Sequence, residues 1–215
     1  MMIRDVCSIT ASAVGFVCVQ YVLAYRGLKD QQVDSLLSTI HAIVMVLFSI
    51  WQPVIDDDTW LFASRAFTAG FFVKNIFSMT IDSKRKFSVH YVTQHTAMLL
   101  LINGLGNLSS KAIAQIYFAE ISTPFVKFAR ELFHSGYKRA FPKTYAFNGV
   151  LTVYLLFWCR VYLFTKLALT TMYTSDDLVA VCALTILSVY NWYSFGVSAI
   201  SIMKFLITCD RLWSN

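Results

Sequence analysis

Long apolar stretches alternate with short polar segments along the whole chain. Each stretch reaches or approaches the roughly 20 residues that a helix needs to cross the hydrocarbon core of a bilayer. A helix also satisfies its backbone hydrogen bonds within its own segment, as a lipid environment requires. The pattern predicts seven transmembrane helices, at residues 6–25, 36–55, 60–81, 87–105, 109–128, 145–169 and 178–208. Between them it predicts a water-exposed turn at residues 56–58, a charged loop at residues 82–86, a basic loop at residues 130–143 and a turn at Asp176 and Asp177.

The composition agrees with a membrane protein. Of the 215 residues, 57% are hydrophobic and 14% are charged, whereas a soluble domain carries roughly 25% charged residues. We therefore predict an all-α, polytopic transmembrane helical bundle of about seven spans. Its main membrane domain would occupy residues 36–208, after a first transmembrane helix and loop at residues 1–35 and before a short cytosolic tail at residues 209–215.

The basic residues indicate how the bundle is oriented. A net charge of +6 would suggest a nucleic-acid partner in a soluble protein, but in a membrane protein Lys and Arg collect on the cytosolic side, so no nucleic acid is expected. With seven spans, the N-terminal face carries Arg4 and Lys111. The opposite face carries ten basic residues, which are Arg26, Lys29, Lys84, Arg85, Lys86, Arg130, Lys138, Arg139, Lys143 and Arg211. We predict a cytosolic C-terminus and a lumenal or extracellular N-terminus, in the endoplasmic reticulum or the plasma membrane.

Polar side chains interrupt several predicted spans, most densely between residues 86 and 130. Such groups are unfavourable in lipid and by default indicate a functional site facing the protein interior; the alternative is a polar contact between helices. The fifth span is the most polar, so it should pack against other helices. Pro124 should kink it, with neighbouring hydroxyls satisfying the carbonyl left free. We expect a central cavity open to the cytosol. The candidates for this cavity or for polar contacts beside it are His41, Asn75, Tyr91, Gln94, His95, Glu120, Ser122, Arg160, Asn191 and Trp192.

Charged side chains within the spans allow more specific predictions. Arg160 falls near the middle of the sixth span, where an unpaired charge is unfavourable. Glu120 is the acid at comparable depth, so we predict a Glu120–Arg160 ion pair, direct or bridged by water. Arg65 and Lys74 each lie within two turns of a helix end, and we expect both to extend to the lipid headgroups.

The histidines supply the candidate chemistry. His90 begins the fourth span near the predicted cytosolic mouth, so it is the candidate catalytic general base; a structural hydrogen bond between helices is the alternative. His41 is predicted at a similar depth, near the start of the second span. His95 follows His90 by five residues, which turns it about 140° around the helix, so the two histidines do not act on one atom. With that spacing and five scattered cysteines, we expect no metal site.

Six sequence segments follow one another between residues 35 and 205. They are SLLSTIHAIVMV at 35–46, AGFFVKNIF at 69–77, SVHY at 88–91, AEISTPFVKFAR at 119–130, FWCRVYLF at 157–164 and NWYSF at 191–195. In this order they resemble the TLC domain, the membrane domain shared by ceramide synthases, the translocating-chain-associated membrane protein and smaller TLC-domain-containing proteins. The fourth segment is the most specific match, and the smaller proteins are the most similar branch.

The resemblance implies a helical bundle around a cavity that takes long acyl chains. In ceramide synthases, two adjacent histidines serve acyl transfer from acyl-CoA to a sphingoid amine. By position His90 corresponds to the first histidine, whereas Tyr91 replaces the second and Asn75 replaces the family's aspartate. Lys127 stands where the family usually has an asparagine. Because a tyrosine is a poor base near neutral pH, the machinery for ceramide synthesis is incomplete.

Two functions remain open from the sequence. The first is an integral membrane protein that handles lipids or acyl chains and influences membrane lipid composition. The alternative is an acyl-CoA-dependent acyltransferase of ceramide-synthase or lysophospholipid type with His90 as general base, so whether the chain is an enzyme stays open. The expected partners are membrane lipids or acyl chains. No cofactor is expected, and acyl-CoA would enter only as a substrate of the acyltransferase.

Overall fold

The computed structural model describes residues 2–52, 58–81, 89–102, 108–134, 136 and 140–213. These residues are helical apart from short connections, and they contain no strand. The helices within them are α1 (Met2–Tyr25), α2 (Asp30–Trp51), α3 (Asp58–Ile81), α4 (Val89–Ile102), α5 (Ser110–Phe118), α6 (Thr123–His134), α7 (Pro142–Leu155), α8 (Leu163–Thr174) and α9 (Leu178–Trp213).

Two pairs of helices are continuous with each other. A 3₁₀ turn, Ala119–Ser122, joins α5 to α6, and a π-helical segment, Leu156–Tyr162, joins α7 to α8. The described residues therefore form seven continuous helical segments, which follow the order of the seven predicted spans. The predicted all-α bundle of about seven spans is confirmed.

Several helices extend further than the apolar stretches that predicted them. Helix α2 begins at Asp30 and not at residue 36, and α6 ends at His134 and not at residue 128. The segment of α7 and α8 covers Pro142–Thr174 where residues 145–169 were predicted, and α9 ends at Trp213 and not at residue 208. The extensions consist largely of polar and charged residues. Helical hydrogen bonds run along the backbone, so a helix continues where the apolar stretch, the signal used for prediction, has already ended.

The long basic loop predicted at residues 130–143 is wrong. Arg130 lies on α6, and Lys143 lies in the first turn of α7. The connection between these helices is therefore shorter than predicted, and part of its basic charge is carried by helix ends. The turn predicted at residues 56–58 is wrong at Asp58, which is the first residue of α3. Residues 56–57 and the charged loop predicted at residues 82–86 lie outside the described residues.

The turn predicted at Asp176 and Asp177 is confirmed. The side chain of Asp177 accepts a hydrogen bond of 3.0 Å from the backbone N–H of Ala180, in the first turn of α9. The hydroxyl of Ser175 accepts the backbone N–H of Asp177 at 3.1 Å. A side-chain oxygen that caps a free N–H stabilises the start of a helix, which explains why α9 begins here.

Two short helices, α4 and α5, pack against longer ones inside the bundle. Asp5–Tyr25, Asp30–Trp51, Pro142–Thr174 and Leu178–Thr208 are long and apolar enough to cross a membrane. By contrast, α4 packs against α3 and α9, and α5 packs against α2. Several large side chains of these two helices are at most 1% exposed, namely Leu101, Ile102, Ile113, Ile116 and Tyr117. The prediction that the fifth span packs against other helices is confirmed.

Close backbone approach fixes α1 against α3. A Cβ atom at Gly70 would lie 2.5 Å from the Cβ of Ser12 on α1. The Ser12 hydroxyl also donates a hydrogen bond of 3.2 Å to the carbonyl of Phe67. Small residues of this kind allow helices to pack tightly in a membrane, where lipid tails are as apolar as the side chains they replace.

Lys74 does not extend to the headgroups, so that prediction is wrong. Its side chain is 1% exposed, and its Nζ lies 3.5 Å from Oδ1 of Asp34 on α2 and 3.4 Å from Oδ1 of Asn75. A nearby carboxylate inside the protein replaces the interfacial water that the prediction assumed. Arg65 is half-buried with its Nε enclosed, and its extension to the headgroups stays a prediction.

Candidate functional site

A cavity of about 170 Å³ lies inside the bundle, between α2, α3, α4, α6, α8, α9 and the two irregular segments. Its apolar wall consists of Phe71, Phe72, Met98, Val126, Phe164 and Leu187. Its polar wall consists of Ser38, His41, Tyr91, Gln94, His95, Glu120, Thr123, Lys127, Arg160 and Asn191. The predicted cavity between the helices is therefore present, and its opening to the cytosol stays a prediction.

Helical periodicity brings the polar residues to one side of each contributing element. Residues three, four or seven apart share a face of a helix. The two largest polar sets with this spacing are Tyr91, Gln94 and His95 on α4, where the apolar Met98 continues the same strip, and Glu120, Thr123 and Lys127 along the 3₁₀ turn and α6. Each of these elements therefore contributes one continuous strip to the wall of the cavity.

The predicted Glu120–Arg160 ion pair is confirmed. One guanidinium nitrogen of Arg160 lies 2.9 Å from Oε2 of Glu120, and both side chains are 16% exposed. The hydroxyl of Thr123 donates to the same carboxylate oxygen at 2.6 Å and accepts from Arg160 at 2.5 Å. The three side chains thus form a closed set of charge-assisted hydrogen bonds, a stronger type than neutral ones.

Irregular backbone on both sides positions this pair. Pro124 has no N–H with which to bond the carbonyl of Glu120, and the backbone N–H of Thr123 bonds that carbonyl instead. The prediction that hydroxyls would satisfy it is wrong, because the Ser122 hydroxyl donates to Ala119, at 3.3 Å. Arg160 lies in the π-helical segment, and its Nε also donates to the Ala119 carbonyl at 3.4 Å. Single-turn π segments recur at functional sites.

His41 is enclosed by aromatic rings. It is 2% exposed, and its ring stacks on Phe71 with centroids 3.9 Å apart and planes 10° apart. Its Nε2 is buried without a hydrogen-bond partner among the described residues. Because α2 begins at Asp30, His41 lies near the middle of the helix, and its predicted place near the helix start is wrong.

His95 has a defined orientation. It is 8% exposed, and its Nδ1 lies 2.8 Å from the carbonyl oxygen of Tyr91 one turn earlier. A carbonyl oxygen only accepts hydrogen bonds, so Nδ1 carries the proton and Nε2 of the neutral ring has the free lone pair. The ring stacks on that of Tyr91 at 3.8 Å and meets the Phe72 ring edge-on at 5.1 Å.

The structure brings together most of the residues predicted from the sequence. Those that line the cavity are His41, Tyr91, Gln94, His95, Glu120, Arg160 and Asn191. Asn75 and Ser122 are buried beside the cavity and do not line it. Trp192 is 49% exposed on the outer surface, where its ring nitrogen donates to Thr165 at 3.3 Å. The side chain of the candidate base His90 lies outside the described part of the chain.

Three polar residues of the wall, namely Ser38, Thr123 and Lys127, were not among the predicted site residues. Their spacing carried a usable signal. Ser38 lies three residues before His41, and Thr123 and Lys127 lie three and seven residues after Glu120, all helical distances.

Comparison with known proteins identifies the family of the chain. No solved structure matches the chain. A family model for the TLC domain matches residues 30–210, from the start of α2 into the last turns of α9, and this range includes every residue that lines the cavity. Because the match covers most of the 215 residues, the chain belongs to the TLC-domain family.

Proposed function

We propose that this integral membrane protein handles lipids or acyl chains and thereby influences membrane lipid composition. The observation that carries the proposal is the cavity, whose wall combines apolar and polar side chains. A lipid combines the same two characters, with an apolar chain joined to a polar end. Clefts between the helices of a bundle are frequent ligand sites, and TLC-domain membership supports a lipid-related role.

The size of the cavity limits how much of a lipid enters it. A volume of about 170 Å³ is close to the roughly 150 Å³ of an engineered cavity that binds one benzene molecule. A long acyl chain does not fit entirely into that space. We therefore propose that the cavity holds the polar end and the first carbons of the chain, while the remainder leaves between the helices.

The entrance is proposed on the basic, cytosolic side of the bundle. Tyr91 is in the first turn of α4, five residues after the basic segment at residues 84–86, and Lys127 lies two turns before the end of α6. Both residues line the cavity, so its outer part is near the face where Lys and Arg collect. This orientation puts the C-terminus in the cytosol and the N-terminus in the lumen or outside the cell, in the endoplasmic reticulum or the plasma membrane.

Filling the cavity tests the proposal. Val126→Phe adds a ring to the cavity wall, and overpacking of this kind is unfavourable by about 1–3 kcal/mol. We expect labelling of the purified protein by a photoreactive fatty acid to fall roughly tenfold or more. Val150→Phe is the matched control, because Val150 is 51% exposed on the outer surface of α7. Equal labelling of the two variants would show that lipid does not enter the cavity.

A second candidate function is acyl transfer from acyl-CoA to an amine or a lysolipid. One observation favours it: the Nε2 of His95, on a ring held by the Tyr91 carbonyl, is available to accept a proton inside the cavity. Purified protein would be assayed with labelled acyl-CoA and a panel of acceptors. If the protein is an acyltransferase, turnover appears and is lost in His95→Ala or His90→Ala. Absence of turnover in protein that still binds the photoreactive fatty acid would leave lipid handling as the function.

A further inference from the structure

The charges that line the cavity do not balance. Glu120 and Arg160 are paired with each other, whereas Lys127 adds a second positive charge to the same wall. The Lys127 ammonium makes no hydrogen bond or ion pair with any residue in the described part of the chain. With neutral histidines, the lining carries one negative and two positive side chains, and therefore a net charge of +1.

The two acids whose charge acts on Lys127, Asp34 and Glu120, are each already paired with another cation. Asp34 lies on α2, one turn before the cavity residue Ser38, and its Oδ1 is 3.5 Å from Nζ of Lys74. The carboxylate of Glu120 accepts from both Arg160 and Thr123. A cation that is half-buried and lacks a directly paired counter-charge is unfavourable, so the charge of Lys127 is available to an anion that enters the cavity.

We propose that the cavity recognises the carboxylate of an unesterified fatty acid, with Lys127 Nζ as the group that binds it. This inference rests on the proposed lipid-handling function and names the class of lipid. A carboxylate is a monoanion and matches the net charge of +1, whereas a phosphate monoester near −2 would leave an excess negative charge inside the protein. A zwitterionic headgroup would bring its own cation next to Lys127. The carboxylate is also small enough for a cavity of about 170 Å³.

The test compares ligands that differ only in charge. Oleate, methyl oleate and oleyl phosphate have the same chain, and their dissociation constants would be measured on the full-length protein in neutral detergent, above the pH at which oleate ionises. We expect oleate to bind at least about tenfold more tightly than methyl oleate, the ratio that one charge-assisted contact provides. Lys127→Gln should reduce this ratio to near one, and Lys127→Arg should restore it because the charge returns.

A control variant separates a specific charge from general electrostatics. Lys166→Gln removes the same charge from the exposed face of α8, and the ratio of oleate to methyl oleate affinity should stay at the wild-type value. Equal binding of oleate and methyl oleate by the wild-type protein would overturn the inference and leave lipid handling intact. Tighter binding of oleyl phosphate than of oleate, or an unchanged ratio in Lys127→Gln, would also overturn it. If none of the three ligands binds, the proposed function fails together with the inference.

Discussion

Glu120 and Arg160 show how a membrane protein accommodates charge inside a helical bundle. Each side chain is 16% exposed, and each has the other within 2.9 Å. Bringing two charges out of water is unfavourable, so a buried pair is not in itself strong support for stability. Removing one partner of the pair is strongly destabilising, because the remaining charge stays buried without compensation. Thr123 contacts both side chains but is neutral, so it does not replace either of them.

A double-mutant cycle measures this dependence. Glu120→Gln and Arg160→Met each leave one buried charge unpaired, and each should lower the free energy of unfolding by about 3–5 kcal/mol. The double variant removes both charges of the pair and should be more stable than the sum of the two losses predicts. Unfolding in mixed detergent micelles would be followed by circular dichroism. Additive losses would contradict the ion pair as the stabilising contact.

At the scale of helices, one of the two irregular segments could be predicted from the sequence and the other could not. Pro124 predicts an irregularity in the helix of the fifth span, because a proline has no N–H to donate a helical hydrogen bond. The π-helical segment of Leu156–Tyr162 contains neither Pro nor Gly, and no local pattern predicted it. The pairing of Glu120 with Arg160 could still be predicted, because it follows from depth in the membrane and not from local backbone geometry.

The sequence was least informative about which way a polar side chain faces. Lys74 was predicted to reach the headgroups because it is near a helix end, yet Asp34 on α2 holds it inside the bundle. Trp192 was predicted near the cavity, yet it lies on the outer surface. Both errors have the same physical origin. Periodicity defines the faces of one helix, but the packing of its neighbours decides which face is internal.

At the scale of the whole molecule, the connections between helical segments must alternate between the two sides of the bilayer if all seven segments cross it. Lys29, between α1 and α2, and Asp176, between α8 and α9, are both in non-helical connections that the structure describes. Five crossings separate them. Basic residues favour the cytosolic side, so we expect Lys29 in the cytosol and Asp176 in the lumen or outside the cell.

Cysteine accessibility decides this prediction. Lys29→Cys and Asp176→Cys would be introduced separately into a variant in which the five native cysteines are replaced by serine. In sealed vesicles whose cytosolic face is outward, a thiol reagent that does not cross membranes should label Lys29→Cys, and it should label Asp176→Cys only after the vesicles are opened by detergent. The reverse pattern would mean that the basic residues do not set the orientation. Labelling of both variants in sealed vesicles would mean that one helical segment does not cross the membrane, because an even number of crossings is the arrangement that returns both connections to one side.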